Sequence, residues 1–221
     1  MSKFFLKAFS ALELVIVLAI VSLLISVILS ASSIKKNAYS NSLLQEVNKI
    51  QSSVLTFRNK YNGLPGDISD AYDLFGDDCG TESECNGNSD GYISLDSISE
   101  SDEFVSSFIH LSLAGIIDST YDRTDYQYQL KSKGLATIKY VSVSDNYQIT
   151  NNAITALSLN DDYLFIEPYR LMLIDNKVDD GLPESGFVTY YTDGNSGCVS
   201  DSEYIDDDES KLCAAIFKLS E

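Results

Sequence analysis

Hydrophobic and polar positions divide the chain into two regions of different character. From Leu14 to Leu29, fourteen of sixteen residues are apolar. No Gly or Pro occurs from Phe9 to Asn62, so nothing there must break a helix. The pattern predicts one long helix over residues 9–62, apolar all round in its first half and amphipathic in its second. The second half carries a stripe at steps of four and three: Tyr39, Leu43, Val47, Ile50, Val54, Phe57 and Tyr61.

The apolar first half has the length of a membrane span. Extended to Ala11 and Ala31 it would be roughly 31 Å long as a helix, which is about the thickness of a bilayer's hydrocarbon core. Lys3 and Lys7 precede it and would keep the N-terminus in the cytoplasm. We therefore expect a transmembrane segment at about 11–31, with everything after it exported.

The remainder, 63–221, is predicted to be one exported globular domain. It begins with a strong turn signal at Gly63–Asp67. Further helices are predicted over Glu103–Ile117 and Glu167–Val178. Strands are predicted by alternation and apolar runs at Tyr126–Leu130, Ala136–Val143, Phe187–Tyr191 and Leu212–Leu219, with a turn at Lys133-Gly134. This order of elements indicates an α+β fold with a small antiparallel sheet.

Charge and composition exclude several classes of function. The chain carries 33 acidic against 15 basic residues, a net charge of −18, which disfavours a nucleic-acid partner because phosphate binding needs Lys and Arg. The single histidine, His110, falls on an apolar helical face and is expected to be a packing residue. No nucleophile elbow, phosphate loop or dinucleotide fingerprint occurs. We expect a protein that is not an enzyme.

Four cysteines, at positions 79, 85, 198 and 213, lack the Cys-x2-Cys spacing of zinc sites. In an oxidising compartment they would form disulfides. Three connectivities are possible, and sequence alone does not select one. We favour Cys79–Cys85 and Cys198–Cys213 because both pairs close short loops.

The stretch Asn86–Ile93 has the first half of a calcium-loop pattern. Oxygen-bearing side chains stand at positions one, three and five, and Gly91 stands at six. The predicted ligands are Asn86, Asn88, Asp90 and the Tyr92 carbonyl. The bidentate acid expected at position twelve is replaced by a serine, so Asp96, Glu100 or Asp102 would have to substitute. The alternative is an ordinary polar turn. A second acidic turn, which contains Asp175, Asp179 and Asp180, is expected to hold no metal because Lys177 lies between its acids.

Three interpretations of the N-terminal segment compete. The first is a secretory signal cleaved after Ser30-Ala31, although its apolar run is longer than usual. The second is a plain membrane anchor, which gives Glu13 no role. The third follows from Ala8-Phe9-Ser10-Ala11-Leu12-Glu13-Leu14-Val15-Ile16-Val17. This segment resembles the N-terminal signature of type IV pilins and type II secretion pseudopilins, except that Ala8 stands where the family usually has Gly.

Looser matches continue along the chain, at Tyr61–Asp67, Asn86–Gly91, His110–Ile117 and Ile174–Pro183. The resemblance implies a leader peptide at 1–8, cleavage between Ala8 and Phe9, and N-methylation of Phe9. It also implies that Glu13 acts in assembly, and that the long helix packs on the sheet.

By the same resemblance, the chain would be a structural subunit of a type IV pilus or a type II secretion pseudopilus, held first in the inner membrane with its C-terminal domain in the periplasm. The implied partners are a prepilin peptidase, the assembly machinery and other pilin-like subunits. The alternative is a membrane-tethered periplasmic binding or enzymatic domain that never polymerises.

Overall fold

The structure is a computed structural model of the 221-residue chain. It describes residues 11–94, 103–125, 127–130, 134–141, 151–158, 165–191, 197–205 and 213–219. The chain divides into two compact units, Met1–Tyr39 and Ser40–Glu221. The long helix α1, Ala11–Tyr61, contributes its first part to one unit and its second part to the other.

In the first unit, α1 exposes an apolar surface. Every side chain from Ala11 to Val27 is exposed, and most of them are Leu, Ile or Val. Leu12 is 69% exposed and Val27 is 66% exposed. Because the apolar positions are consecutive rather than spaced in a stripe, no side of this stretch is polar.

The expected transmembrane first half of α1, and with it the single pass through an inner membrane, is corrected by the structure. None of the helices described is both long enough and apolar enough to cross a membrane. The apolar, leucine-rich stretch whose side chains the structure describes is 11–27, and it is exposed.

In the second unit, α1 has one buried face. Five of the seven residues in the predicted stripe are buried, with Phe57 and Leu43 fully enclosed, and the two terminal tyrosines are partly exposed. The Phe57 ring lies against Tyr61, with 4.6 Å between ring centroids, and stacks on His110 at 6.2 Å. This part of α1 therefore finds its apolar partner within its own chain.

The second unit is α+β with a small antiparallel sheet. The strands are β1 Tyr128–Gln129, β2 Gly134–Val141, β3 Asn151–Ser158, β4 Phe165–Ile166, β5 Val188–Tyr191, β6 Val199–Ser200, β7 Glu203–Tyr204 and β8 Cys213–Lys218. The main sheet runs β1–β2–β3–β8, and β8 pairs further with β4 and β5. Strands β6 and β7 form a separate two-stranded sheet. The five residues from Cys213 to Phe217 on β8 are fully buried, so this strand is central to the core.

Short helices precede the sheet, and one helix interrupts it. They are α2 Ala71–Phe75, a 3₁₀ helix Gly76–Cys79, α3 Glu82–Cys85, α4 Glu103–Leu113 and α5 Pro168–Val178. Helix α4 lies beside β2, and α5 lies beside β5, β7 and β8. The helix predicted to reach Ile117 ends four residues earlier because Gly115 takes a left-handed conformation, φ +68°, that stops the helix.

Candidate functional site

The predicted calcium loop lies between α3 and α4. There it forms part of a cluster of three carboxylates. Asp67, Asp90 and Glu103 place one carboxylate oxygen each within 4.8 Å of the others. Asp67 comes from the turn after α1, Asp90 from the loop, and Glu103 from the first turn of α4. Asp67 and Glu103 are buried, whereas Asp90 is exposed.

The Asp67 side chain binds backbone N–H groups of the loop. Its Oδ1 accepts the Asp90 N–H at 3.1 Å and its Oδ2 accepts the Gly91 N–H at 3.0 Å. Burial raises the pKa of Asp67 to about 6, and the charges of Glu103 and Asp90 add to the rise while the hydrogen bonds oppose it. At neutral pH this buried carboxylate is ionised at a cost.

Glu103 holds the two ends of the same loop. Its Oε1 accepts the Asn88 N–H at 2.9 Å, and its Oε2 accepts both the N–H and the hydroxyl of Ser94 at 2.8 Å. Backbone N–H groups of the loop are therefore drawn around two anionic side chains. A calcium loop has the opposite arrangement of charges, because its oxygen atoms surround a cation.

The four predicted calcium ligands do not all meet. The Asn86 side-chain oxygen accepts the Tyr72 N–H at 2.8 Å in the first turn of α2. Asn88 and Asp90 do lie together, with Asn88 Nδ2 donating to Asp90 Oδ2 at 3.1 Å. The Tyr92 N–H donates to Asp90 Oδ1 at 2.8 Å. The predicted substitutes for position twelve, at 96, 100 and 102, lie outside the described residues.

Three hard oxygen donors would suit a divalent cation such as calcium. However, each of the six carboxylate oxygens of the cluster already accepts a hydrogen bond from the chain. The arrangement thus satisfies its charges largely by protein donors, and calcium binding stays a prediction. Sequence spacing missed Asp67 and Glu103, although the turn signal that ends at Asp67 and the helix start at Glu103 were both visible.

Two glycines permit the close approach of the turn to its neighbours. Gly66 has φ +94°, and a Cβ there would collide with the backbone carbonyl of Glu103. A Cβ on Gly87 would collide with the backbone of Gly66 and Asp67. Larger residues at either position would force the turn, loop and α4 apart.

The first of two disulfides, Cys79–Cys85, directly precedes the loop in the sequence, and no free cysteine remains. His110 is fully buried beside it. The His110 Nδ1 accepts the Gly66 N–H at 2.9 Å, and its Nε2 lies 3.9 Å from Cys85 Sγ. Burial lowers the pKa of His110 to about 4, so the ring is neutral at physiological pH. His110 is thus a packed residue, as expected, and it also accepts a hydrogen bond from the turn after α1.

The second acidic turn has an equivalent internal role. Asp175 is fully buried, accepts the Tyr204 hydroxyl at 2.7 Å, and accepts the Gly181 N–H at 3.0 Å. Burial raises its pKa to about 6. Asp179 accepts the N–H groups of Phe187 and Val188, which fixes the start of β5.

The second disulfide, Cys198–Cys213, joins the stretch before β6 to the start of β8. Both disulfides are therefore the pairs favoured from loop length. Of the residues that the pilin resemblance singles out, Ala8 and Phe9 lie outside the described residues. Glu13 lies in the first turn of α1 and is exposed.

Comparisons with known proteins do not assign the chain to a family. No family model matches the chain, and neither the curated proteins nor the solved structures contain a significant match.

Proposed function

We propose that this chain is a prepilin-like structural subunit, which assembles with other copies or related subunits into a type IV pilus or a type II secretion pseudopilus. The observation that carries the proposal is the apolar surface of α1 over 11–27, exposed on every side in the isolated chain. Water disfavours such a surface by about 25 cal/mol per Å², so this stretch needs an apolar partner outside its own chain. Neighbouring helices of the same kind would supply one.

Glu13 gives such a bundle a register. It is the only formally charged residue between Ala11 and Ile34. A carboxylate packed among apolar helices is costly unless a cation meets it. If cleavage occurs after Ala8, the new amine of Phe9 supplies a positive charge four residues from Glu13. A neighbour's amine on Glu13 would then fix the stagger between subunits.

The second unit supports an exported location. It contains two disulfides and no free thiol. Disulfides persist in oxidising compartments and are rare in the cytosol. Under this proposal the partners are a prepilin peptidase, the assembly machinery and other pilin-like subunits.

The deciding experiment is the mature N-terminus of the protein from its native cell. Intact-mass measurement and N-terminal sequencing should find a chain that begins at methylated Phe9, recovered in a sheared filament fraction. An intact Met1 would contradict processing, and a chain that begins at Ser32 would show an ordinary cleaved signal. Recovery only as a monomer would contradict assembly.

A further inference from the structure

A cleft of about 660 Å³ opens in the second unit where α1 ends. Its walls come from five places in the sequence: the last turns of α1, the turn after α1, the loop at 89–92, the start of β3 and the residue after β8. Its volume is in the range of small-molecule sites. The cleft shares Asp67 and Asp90 with the carboxylate cluster, but most of its lining lies outside that cluster.

The floor of the cleft is apolar. Val54, Ile68 and Leu219 line it, and each is at most 4% exposed. One wall ends in the aromatic ring of Tyr92, which is 49% exposed. A ligand with a flat apolar face could therefore lie on this floor or against this ring.

Hydrogen bonds hold the Tyr92 wall in place. The Asn152 side chain accepts the Ile93 N–H and donates to the Gly91 carbonyl, both at 2.8 Å, and the Tyr92 N–H is bound by Asp90. The residues on both sides of Tyr92 are thereby tied to β3. A wall that is ordered before binding lowers the entropy cost of taking up a ligand.

Polar groups of both kinds surround the rim. Arg58 supplies donors, Asp70 supplies acceptors, and the carboxamides of Asn62 and Asn151 supply both. Within the described part of the chain, none of these four side chains makes a hydrogen bond or an ion pair. They are available to a ligand that presents several donors and acceptors at once.

We infer that this cleft binds a neutral oligosaccharide. Sugar hydroxyls donate and accept together, which suits a rim of mixed guanidinium, carboxylate and carboxamide groups, and the C–H faces of sugar rings suit the apolar floor and Tyr92. A polyanion would be repelled because Asp67, Asp70 and Asp90 outnumber Arg58 in the lining. The inference does not depend on filament assembly.

The test uses the full-length chain in a mild detergent with neutral probes: maltopentaose, cellopentaose, chitotriose and a galactan oligomer. Calorimetry and ligand-observed NMR should show that at least one of these probes binds. We expect a Kd of about 1 mM or tighter, as for a small site. Arg58→Met and Tyr92→Ala should each weaken that binding at least tenfold. Gln129→Ala, in a separate polar groove beside β1, is the matched control and should leave it unchanged.

Three results would overturn the inference. One is the absence of binding by any neutral probe, and another is binding that the two cleft variants leave unaltered. The third is binding only of charged probes, for which oligogalacturonate, a chitosan oligomer and a lysine-containing tripeptide serve. Thermal unfolding of each variant distinguishes loss of the site from loss of the fold. If Tyr92→Ala unfolds, Tyr92→Leu and Arg58→Met carry the test, since Arg58 is exposed.

Discussion

The two parts of α1 belong to one helix but meet opposite environments. From 40 to 61 the apolar residues follow a stripe, and that stripe is buried by its own chain. From 11 to 27 they are consecutive, and all are exposed. A striped helix can be satisfied within one domain, whereas a helix that is apolar all round needs a partner on every side. The pattern of apolar positions, rather than their number, thus separates internal packing from assembly.

The largest effect is expected from Glu13 in the first part. Glu13→Leu should abolish most incorporation into filaments because it removes the charge that we propose sets the register, while the stability of the Ser40–Glu221 unit should not change. Quantitative immunoblotting of sheared-filament and cell fractions measures this.

The matched control for Glu13→Leu is Ser22→Ala, since the Ser22 hydroxyl only donates to the Ala19 carbonyl of its own helix. If Glu13→Leu enters filaments as well as the parent does, Glu13 is not an assembly residue. For a subunit present in few copies, filament number replaces incorporation as the measurement.

A paired substitution separates the two parts of α1 directly. Phe57→Ala should lower the free energy of unfolding by about 3–5 kcal/mol, because the fully buried ring leaves a cavity. Leu18→Ala, at a position 60% exposed, should leave that free energy within about 0.5 kcal/mol. Urea unfolding followed by tyrosine circular dichroism is suitable because the chain has no Trp. If both variants lost the same free energy of unfolding, the two parts of α1 would not differ in how they pack within the chain.

The disulfides sharpen the comparison, because both lie in the second unit. Replacing Cys198 and Cys213 together by Ala should cost about 2–4 kcal/mol, since the bond restrains a chain segment of 15 residues in the unfolded state. Thermal unfolding without reductant gives the value. Self-association through 11–27 should persist below the lowered melting temperature. An unchanged melting temperature would show that the core around β8 does not need the restraint.

Calcium should act on the second unit alone. If the loop binds it, millimolar calcium should stabilise the fold by about 1–3 kcal/mol once its concentration reaches 10–100 times Kd. Asp90→Ala should remove the gain and Asp180→Ala should not. Calorimetry in calcium and in EDTA compares them. Identical melting temperatures for the parent protein would show that the chain's own hydrogen-bond donors balance the three carboxylates without calcium.

The smallest effect concerns pH. Asp67 and Asp175 have pKa values raised to about 6, so the native state takes up their protons first and gains stability as pH falls from 7 toward 5. His110, with its pKa lowered to about 4, opposes this because the unfolded state takes up its proton first, near pH 6.5. The two aspartates raise the free energy of unfolding and the histidine lowers it. Between pH 7 and pH 5 the net result is a rise on the order of 1 kcal/mol or less.

Variants isolate the opposing contributions to this pH profile. Asp67→Asn removes one of the two stabilising contributions, so the change in stability between pH 7 and pH 5 should flatten or reverse in sign. His110→Gln removes the destabilising contribution, so stability should rise more steeply as the pH falls. Chemical unfolding at a series of pH values measures both slopes. A parent profile that falls steeply below pH 7 would contradict the raised carboxylate pKa values.

Periodicity predicted the helical stripe, α4, α5 and the strand that became β8, because each is long enough for its apolar spacing to show. It missed β3, whose first residues are Asn151 and Asn152, since Asn is more typical of turns than of strands. Asn152 occurs there because its side chain bonds the loop at Gly91 and Ile93. The tertiary contact outweighs the local preference.

The carboxylate cluster was only partly predictable for a similar reason. The spacing of Asn88 and Asp90 is local and was visible. Asp67 lies 23 residues before its partner Asp90, and Glu103 lies 15 residues after its partner Asn88. Sequence spacing carries no sign of that approach. The length of the apolar run also suggested a membrane span that the described helices do not provide.

The loop at 86–94 is a surface segment whose amides are held by partners far away in the chain. Its ties reach back to Asp67 and forward to Asn152, the latter across 59 residues at Ile93. Contacts between residues so far apart in sequence carry a large loop-closure entropy cost, so we expect this loop to assemble late. Once formed, it cannot open without breaking its contacts to the turn after α1 and to β3. Its amides should therefore exchange with solvent as slowly as those of the sheet, despite lying at the surface.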